Sequence, residues 1–357
     1  MESKLNFDFK TNQLIIKKIG FIDSFKGKWI GLEGKESRYL KELKKIASIE
    51  SIGSSTRIEG SSLTNEEVSQ ILDSIKITEF KTRDEQEVFG YYEVLSLILD
   101  SYGDVEITEN HISHLHKLLL IKSSKDEHHR GDYKKLTNKV VANFPGGHQK
   151  IIFQTTEPFM VKEEMTKLID WTNKNLVEDL IHPLIIVGTF VYEFLSIHPY
   201  QDGNGRLSRL LTTLLLLKND YDFMQYSSME IEIEKRKKEY YKALMAGQKN
   251  RNKKSEKIDK WILFFLETLE LTINKLESRY NSIKDKRSYL NKRQEELLSY
   301  IKDKEPIKIS DAKRDLTNYK LNTLRKDMAY LKAEGLIQQI GKGRATIYII
   351  NEKKNKD

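Results

Sequence analysis

The sequence predicts a mainly α protein: a helical core carrying one small β-hairpin, followed by a smaller α+β module. Three observations lead there. Apolar residues recur at spacings of three and four along most of the 357 residues, the period of an amphipathic helix. The stretch His128–Pro158 breaks that period, with Gly131, Pro145, Gly146, Gly147 and Pro158 around two short β-prone runs. Charge is also uneven: residues 282–357 hold 19 Lys+Arg against 11 Asp+Glu, which accounts for the whole net charge of +8. Such asymmetry points to a separate module with an anionic partner. The expected division is an N-terminal region 1–105, a core 106–281 and a C-terminal module 282–357.

Composition narrows the classes. A chain that is 38% hydrophobic and 32% charged can bury a core and stay in water. It has no cysteine, which excludes disulfides, thiolate metal sites and cysteine nucleophiles. The most apolar stretch, Leu184–Ile197, is too short to span a bilayer and contains Glu193. The N-terminus, MESKLNFDFK, lacks the apolar segment of a signal peptide. A cytoplasmic protein with no membrane partner is expected.

Taken in order, the first 40 residues read as extended or irregular, with Leu14, Ile15, Ile16 and Ile19 as a strand or docking segment. Leu40–Ile58 is a helix through Leu40, Leu43, Ile46 and Ala47. Thr64 and Glu67 form a capping box that opens the next helix. Glu85–Asp100 and Thr108–Leu120 are amphipathic helices. Lys139–Val141 and Lys150–Phe153 pair as the hairpin. Helices resume at Pro158–Asn175, Ile181–Ile197, from Gly205 to about Lys218, at Ile231–Met245 and at Lys257–Tyr280.

The chemistry concentrates between two of these helices, in His198-Pro199-Tyr200-Gln201-Asp202-Gly203-Asn204-Gly205-Arg206-Leu207-Ser208-Arg209. Gly203, Asn204 and Gly205 precede an apolar helix, so their backbone N–H groups and the helix N-terminus make an anion nest. Arg206 and Arg209 are three apart and share a helix face, where two guanidinium groups can hold a polyphosphate. Asp202 is a hard oxygen ligand suited to Mg2+ shared with phosphates. His198 is the nearby group with the pKa of a general base. A Gly-Asn-Gly turn or a histidine after a helix is ordinary by itself. Eight defined identities within twelve positions are not, and together they describe a nucleotidyl- or phosphoryl-transfer site.

The string resembles the signature of the Fic family, HPFxDGNGRxxR, with Tyr200 in place of Phe. The resemblance covers roughly Leu40–Thr272 and implies a Fic-type helical core in which AMP passes from ATP to a protein hydroxyl. In that reading His198 deprotonates the hydroxyl and Asp202 holds Mg2+ on the α and β phosphates. Gly203, Asn204 and Gly205 bind phosphate oxygens, Arg206 the β-phosphate and Arg209 the γ-phosphate. The presence of Gly205 and Arg209 favours AMP transfer over the phosphotransferase branch. UTP, GTP and CDP-choline remain alternative donors.

Four further expectations follow from the resemblance. Ser55-Thr56-Arg57-Ile58-Glu59-Gly60 looks like the inhibitory motif S/T-x-x-x-E-G/N, so Glu59 would pair with Arg209 and misalign ATP. Removal of AMP is then a secondary activity to expect. The hairpin resembles the flap that clamps a target segment by strand addition, with Ile151, Ile152 and Phe153 covering the site. Tyr240 and Tyr241 resemble the tyrosines on the adenine side, although a core position fits them as well. Partners are therefore ATP and a target protein, the chain itself included, with a homodimer left open.

The C-terminal module orders its elements as a helix at Gln294–Ile301 and a short strand at Ile307–Ile309. A helix capped by Ser310, a strong helix at Lys320–Glu334 and a hairpin around Gly341-Lys342-Gly343-Arg344 follow. This order resembles a winged helix. DNA would then meet residues 320–344, through Lys320, Asn322, Thr323, Arg325, Lys326, Lys342 and Arg344. The rival reading of the whole chain is a DNA-binding regulator whose core senses a nucleotide.

Overall fold

A computed structural model describes residues 1–33, 38–74, 80, 82–143, 149–285, 290–341, 343 and 346–351. Its contacts divide the chain into two compact units, Met1–Ser278 and Arg279–Asp357. The hairpin tip Pro145, Gly146, Gly147 and His148 lies outside the described residues, as do Lys342, Arg344 and the side chains of Ile151 and Ile152.

The first unit opens on helix α1 (Phe9–Glu33), which corrects the expectation of an irregular N-terminus. Local signals were mixed, because Leu14 and Ile16 are exposed and Gly20, Gly27 and Gly31 weaken a helix. Burial decides otherwise: Ile15, Ile22, Phe25 and Trp29 lie at helical spacing and all enter the core. Asp8 starts the helix by accepting the Thr11 backbone N–H at 2.8 Å.

Next come α2 (Arg38–Glu59), α3 (Asn65–Asp73), α4 (Arg83–Ser101) and α5 (Glu109–Leu119). The Thr64/Glu67 capping box forms as expected, and Thr82 with Glu85 forms another. The hairpin pairs β1 (Lys139–Asn143) antiparallel to β2 (Gln149–Gln154), with Val140 opposite Phe153 and a bulge between Val140 and Val141. Helix α6 (Pro158–Glu178) packs on α7 (Pro183–Ile197), which packs on α8 (Asn204–Lys218).

Helix α7 is buried on every side, so its apolar run is that of a central core helix. Helix α8 lies against α2, α4 and α5. The single helix expected at Ile231–Met245 is two, α9 (Met229–Lys235) and α10 (Lys237–Gln248). The backbone turns between them at Arg236, whose guanidinium spans Glu239 and Glu267 and lies 4.8 Å from the Phe264 ring centre. Helix α11 (Asp259–Asp285) closes the core, its Trp261 donating to the Gly188 carbonyl at 2.7 Å.

The second unit holds α12 (Lys292–Lys304), α13 (Ile309–Asp315), α14 (Leu321–Ala333) and the antiparallel pair β3 (Ile337–Ile340) and β4 (Ile347–Ile350). Leu297, Ile301, Leu324, Met328, Leu331 and Ile337 form its own core. Two local expectations change. Ile307 makes a lone bridge to Tyr348 and no strand. Helix α13 begins at Ile309, one residue before Ser310, because the Asp311 carboxylate accepts the Lys308 backbone N–H at 2.9 Å.

Candidate active site

The site forms where α7 ends and α8 begins. His198 closes α7 in the left-handed region, φ 53°, and its N–H donates to the Phe194 carbonyl at 2.9 Å. Gly203 turns the chain at φ 79°, a conformation that favours glycine. Between them, buried Asn204 folds back on the loop. Its Oδ1 accepts the Tyr200 N–H at 2.9 Å and its Nδ2 donates to the Tyr200 carbonyl at 2.7 Å. The Asn204 side chain is thus occupied by the loop, and its main chain alone is left to a nest.

His116, on α5, supports the same loop from below. Its ring stacks on Tyr200 at 3.7 Å. The Gly131 N–H donates to its Nδ1 at 2.8 Å, so Nε2 carries the proton and donates to the Asp202 carbonyl at 3.0 Å. Full burial pushes this imidazole down to about 4 and keeps it neutral.

His198 is neutral for a related reason. Its Nδ1–H donates to the Leu195 carbonyl at 3.3 Å, which leaves Nε2 as the basic lone pair. Burial, then the nearby Lys134 cation, push its pKa down to about 4, although Glu59 and Asp202 pull the other way.

Around Asp202 four charges alternate in a ring. Asp202 Oδ1 faces Arg206 Nη2 at 3.2 Å, and Oδ2 faces Arg83 Nη2 at 3.2 Å. Arg83 also holds Glu87 at 2.7 Å, and Glu87 faces Arg206 Nη1 at 3.3 Å. Burial would raise the Asp202 pKa, but Arg206, the Gly203 N–H and Arg83 outweigh it and keep it lowered. Arg206 is only 2% exposed, yet its Nε and Nη1 have no hydrogen-bond partner among the described residues. Buried N–H donors of a cation are seldom left so.

Arg209 is engaged through Nε and Nη2 instead. Its Nε donates to Ser55 Oγ at 2.7 Å, and its Nη2 to the Ser55 carbonyl at 3.0 Å and to Glu59 Oε1 at 2.7 Å. Burial would raise the Glu59 pKa, but Arg209 and then Arg206 outweigh it, so the carboxylate stays charged. The Glu59 carboxylate also fills the space over Gly205: a Cβ there would lie 2.1 Å from Glu59 Oε1. The end of α2 is pinned from the far side. Arg57 holds Glu234 at 2.7 and 3.0 Å, and Lys237 donates to the Ile58 carbonyl at 2.5 Å.

The structure thus brings His198, Asp202, Gly203, Asn204, Gly205, Arg206, Arg209, Ser55 and Glu59 together. Tyr240 and Tyr241 are nearby but buried, edge-on to one another at 5.2 Å, with Tyr240 against Trp261 and Phe264. Phe153 is partly buried on β2. His116, Lys134, Asn138, Arg83 and Glu87 belong to the same neighbourhood and escaped the sequence reading. One signal was available, since Thr82-x-x-Glu85 places Arg83 and Glu87 one turn apart at the start of α4.

Among the described residues no three His, Cys, Asp or Glu side chains are grouped to hold a metal. One carboxylate, Asp202, charged and 30% exposed, fits a hard cation whose other ligands are phosphates and water.

Residues 106–216 match the model of the Fic/DOC family. Over 184 residues the chain is 31% identical to "Protein adenylyltransferase Fic" of Drosophila willistoni, an alignment covering 51% of this chain and 34% of that protein. The chain therefore spans about a third of the length of the curated relatives it matches. Among solved structures, a Fic family protein from Desulfovibrio desulfuricans G20 shares the fold, with TM-score 0.64 and 22% identity over 94% of this chain and 95% of that one. Fic-1 (aa134 - 508) from C. elegans is similar with TM-score 0.59 and 20% identity, covering 76% of this chain and 74% of that one.

Proposed function

We propose that this chain, whose residues 106–216 form a Fic/DOC-family domain, transfers AMP from ATP to a Ser, Thr or Tyr hydroxyl of a protein and holds itself in check through Glu59. The observation that carries the reading is the buried Arg206 with two unbonded N–H groups, beside a left-handed glycine turn and a neutral imidazole. A polyphosphate supplies the acceptors those donors lack, and its charge can compete with the Glu87 carboxylate that faces Nη1 at 3.3 Å. The name of the curated relatives supports the same chemistry.

In this reading His198 Nε2 takes the proton of the target hydroxyl, whose oxygen then attacks the α-phosphorus. The bond to the β-phosphate oxygen breaks and pyrophosphate leaves. Arg206 and, once freed, Arg209 hold the phosphates that depart with it. Asp202 would hold Mg2+, which when bound neutralises phosphate charge. Glu59 competes directly for Arg209, so nucleotide binds with its phosphates misaligned while α2 stays in place.

The test is incubation with α-labelled ATP and Mg2+, following label into protein. Glu59→Gly should raise incorporation by about a hundredfold, and adding His198→Ala should abolish it. No label in Glu59→Gly, or equal label without His198, would remove the reading. Competition by UTP, GTP and CDP-choline then identifies the donor.

A second reading concerns residues 279–357, which we take as a winged helix that binds DNA. On α14 and its N-cap the exposed side chains include Lys320, Asn322, Arg325 and Lys326, while the acidic Asp327 is buried against Arg293 at 2.5 Å. An exposed face without acids suits a phosphate backbone. The full chain should shift duplex DNA at low salt and lose it steeply as salt rises. A Lys320→Ala/Arg325→Ala/Lys326→Ala variant that binds equally well would end this reading.

A further inference from the structure

Lys134 is 3% exposed and lies between α5 and β1. An ammonium has three N–H donors, and here they meet three oxygens from three segments. They are Asn138 Oδ1 at 2.8 Å, Thr155 Oγ1 at 2.7 Å and the Ile197 carbonyl at 3.1 Å. Asn138 immediately precedes β1, Thr155 follows β2, and Ile197 precedes His198. Two further bonds tighten the junction. The Lys134 backbone N–H donates to the Pro199 carbonyl at 2.8 Å, and Asn138 Nδ2 donates to the Tyr200 carbonyl at 2.8 Å. Both feet of the hairpin and the Ile197 flank of His198 therefore converge on the Lys134 side chain, and the Pro199 flank on its backbone N–H.

A buried lysine is costly unless a carboxylate neutralises it, and the three oxygens bonded to this ammonium are neutral, with Glu157 and Glu164 acting on it only through space. Neutral side chains could join two polar loops with less desolvation. The cation has a second consequence: its charge helps keep His198 unprotonated, against the opposite pull of Glu59 and Asp202. Arginine would keep the charge but would have to reach these oxygens from several nitrogens of a planar fork, which re-aims the bonds.

We propose that Lys134 is a positioning residue: it locks the His198 imidazole to both feet of the flap, so that the base and the segment the flap holds keep one separation. The proposal rests on the transferase reading above. In-line attack demands that separation closely, and a misplacement of about 1 Å costs on the order of a hundredfold in rate.

The experiment compares Lys134→Met, Lys134→Arg and Thr155→Val in the Glu59→Gly background. Three quantities are read: the Kd for ATP by calorimetry, kcat and KM for AMP transfer, and the titration of the His198 ring by NMR. Lys134→Met should lower kcat about a hundredfold, leave the ATP Kd within about twofold and move the His198 midpoint upward. Lys134→Arg should fail to restore kcat. Thr155→Val, which loosens only one foot of the flap, should raise KM for the target and leave the His198 titration in place. Should Lys134→Met not fold, Lys134→Arg and Thr155→Val decide by kcat, KM and the ATP Kd, since neither removes the charge beside His198, and the midpoint criterion applies to Lys134→Met alone. A kcat within twofold of the parent, an unmoved His198 midpoint, or losses that track ATP affinity would each overturn the proposal. An inactive Glu59→Gly parent would remove the transferase reading and this proposal with it. An active parent with an unimpaired Lys134→Met would remove this proposal alone.

Discussion

The two ends of the loop between α7 and α8 are held in opposite ways. At its start, His198 is fixed by hydrogen bonds in which no carboxylate takes part: Leu195 on its own ring, and the Lys134 ammonium and Asn138 on its neighbours. At its far end the charged groups are held by other charged groups, Arg209 by Glu59 and Asp202 by Arg83. Hydrogen bonds among satisfied buried groups set geometry and resist exchange. Ion pairs whose acidic or basic partner is partly exposed can be traded for a phosphate or a cation of greater charge. In the transferase reading proposed above, the base end is thus built for precision and the phosphate end for competition. In that reading Glu59 bonds only to the second and reaches the first only through its charge.

The sharpest way to test the competitive end is to fill its space. Gly205→Ala puts a methyl group where the Glu59 carboxylate now sits. If phosphate takes the same place when Glu59 leaves, the methyl obstructs both. Transfer by Glu59→Gly/Gly205→Ala should then fall about a hundredfold below Glu59→Gly. Equal activity in the two would show that inhibitor and substrate occupy different space.

The precise end should fail with acid. His116 is buried neutral and its pKa is depressed, so the unfolded chain takes up a proton that the folded one refuses. Stability is therefore full above the ordinary histidine pKa near 6.5 and is lost as pH falls toward about 4. His198 adds to the loss in the same window. Denaturant midpoints measured across that range should fall with pH. In His116→Gln the fall should be smaller, and an unchanged slope would argue against the neutral buried imidazole.

The difference between the two ends also decides what the sequence could reveal. The groups of the proposed phosphate end could be gathered from sequence because they are contiguous: twelve residues carry His198 through Arg209, and Ser55 and Glu59 sit one helical turn apart. The hairpin and most helices were legible through period and caps. The clasp at Lys134 was not, since its partners lie 21 and 63 residues away and a lone lysine in a loop carries no pattern. Helix α1 was misread for the converse reason. Its local signals were weak, and burial of Ile22 and Trp29 against the rest of the core supplies the helix that propensity does not.

A smaller effect separates the two contacts that restrain Arg209. Ser55 is fully buried, and its hydroxyl accepts from Arg209 at 2.7 Å. Ser55→Ala removes a charge-assisted bond of about 2 kcal/mol but leaves Glu59 in place. Basal transfer should rise about tenfold, well short of Glu59→Gly, and the change should have no further effect once Glu59 is gone. A rise in the double variant would mean that Ser55 restrains more than the ion pair.

The smallest effect is expected at Arg83, the outer member of the charge ring. It is 59% exposed, and its contact with Asp202 is a surface pair worth about 0.2 to 1 kcal/mol. Arg83→Ala should leave the fold intact and free Asp202 Oδ2 for a cation. The apparent Mg2+ requirement should fall by about twofold to fivefold, with Mn2+ binding to the nucleotide-loaded protein followed by paramagnetic resonance as an independent reading. Because Glu59 acts on Arg209 and Arg83 on Asp202, the gains of Arg83→Ala and Glu59→Gly should multiply. Failure to multiply would mean that the ring and the Glu59 pair form one lock, and the phosphate end would then respond as a unit to whatever moves α2.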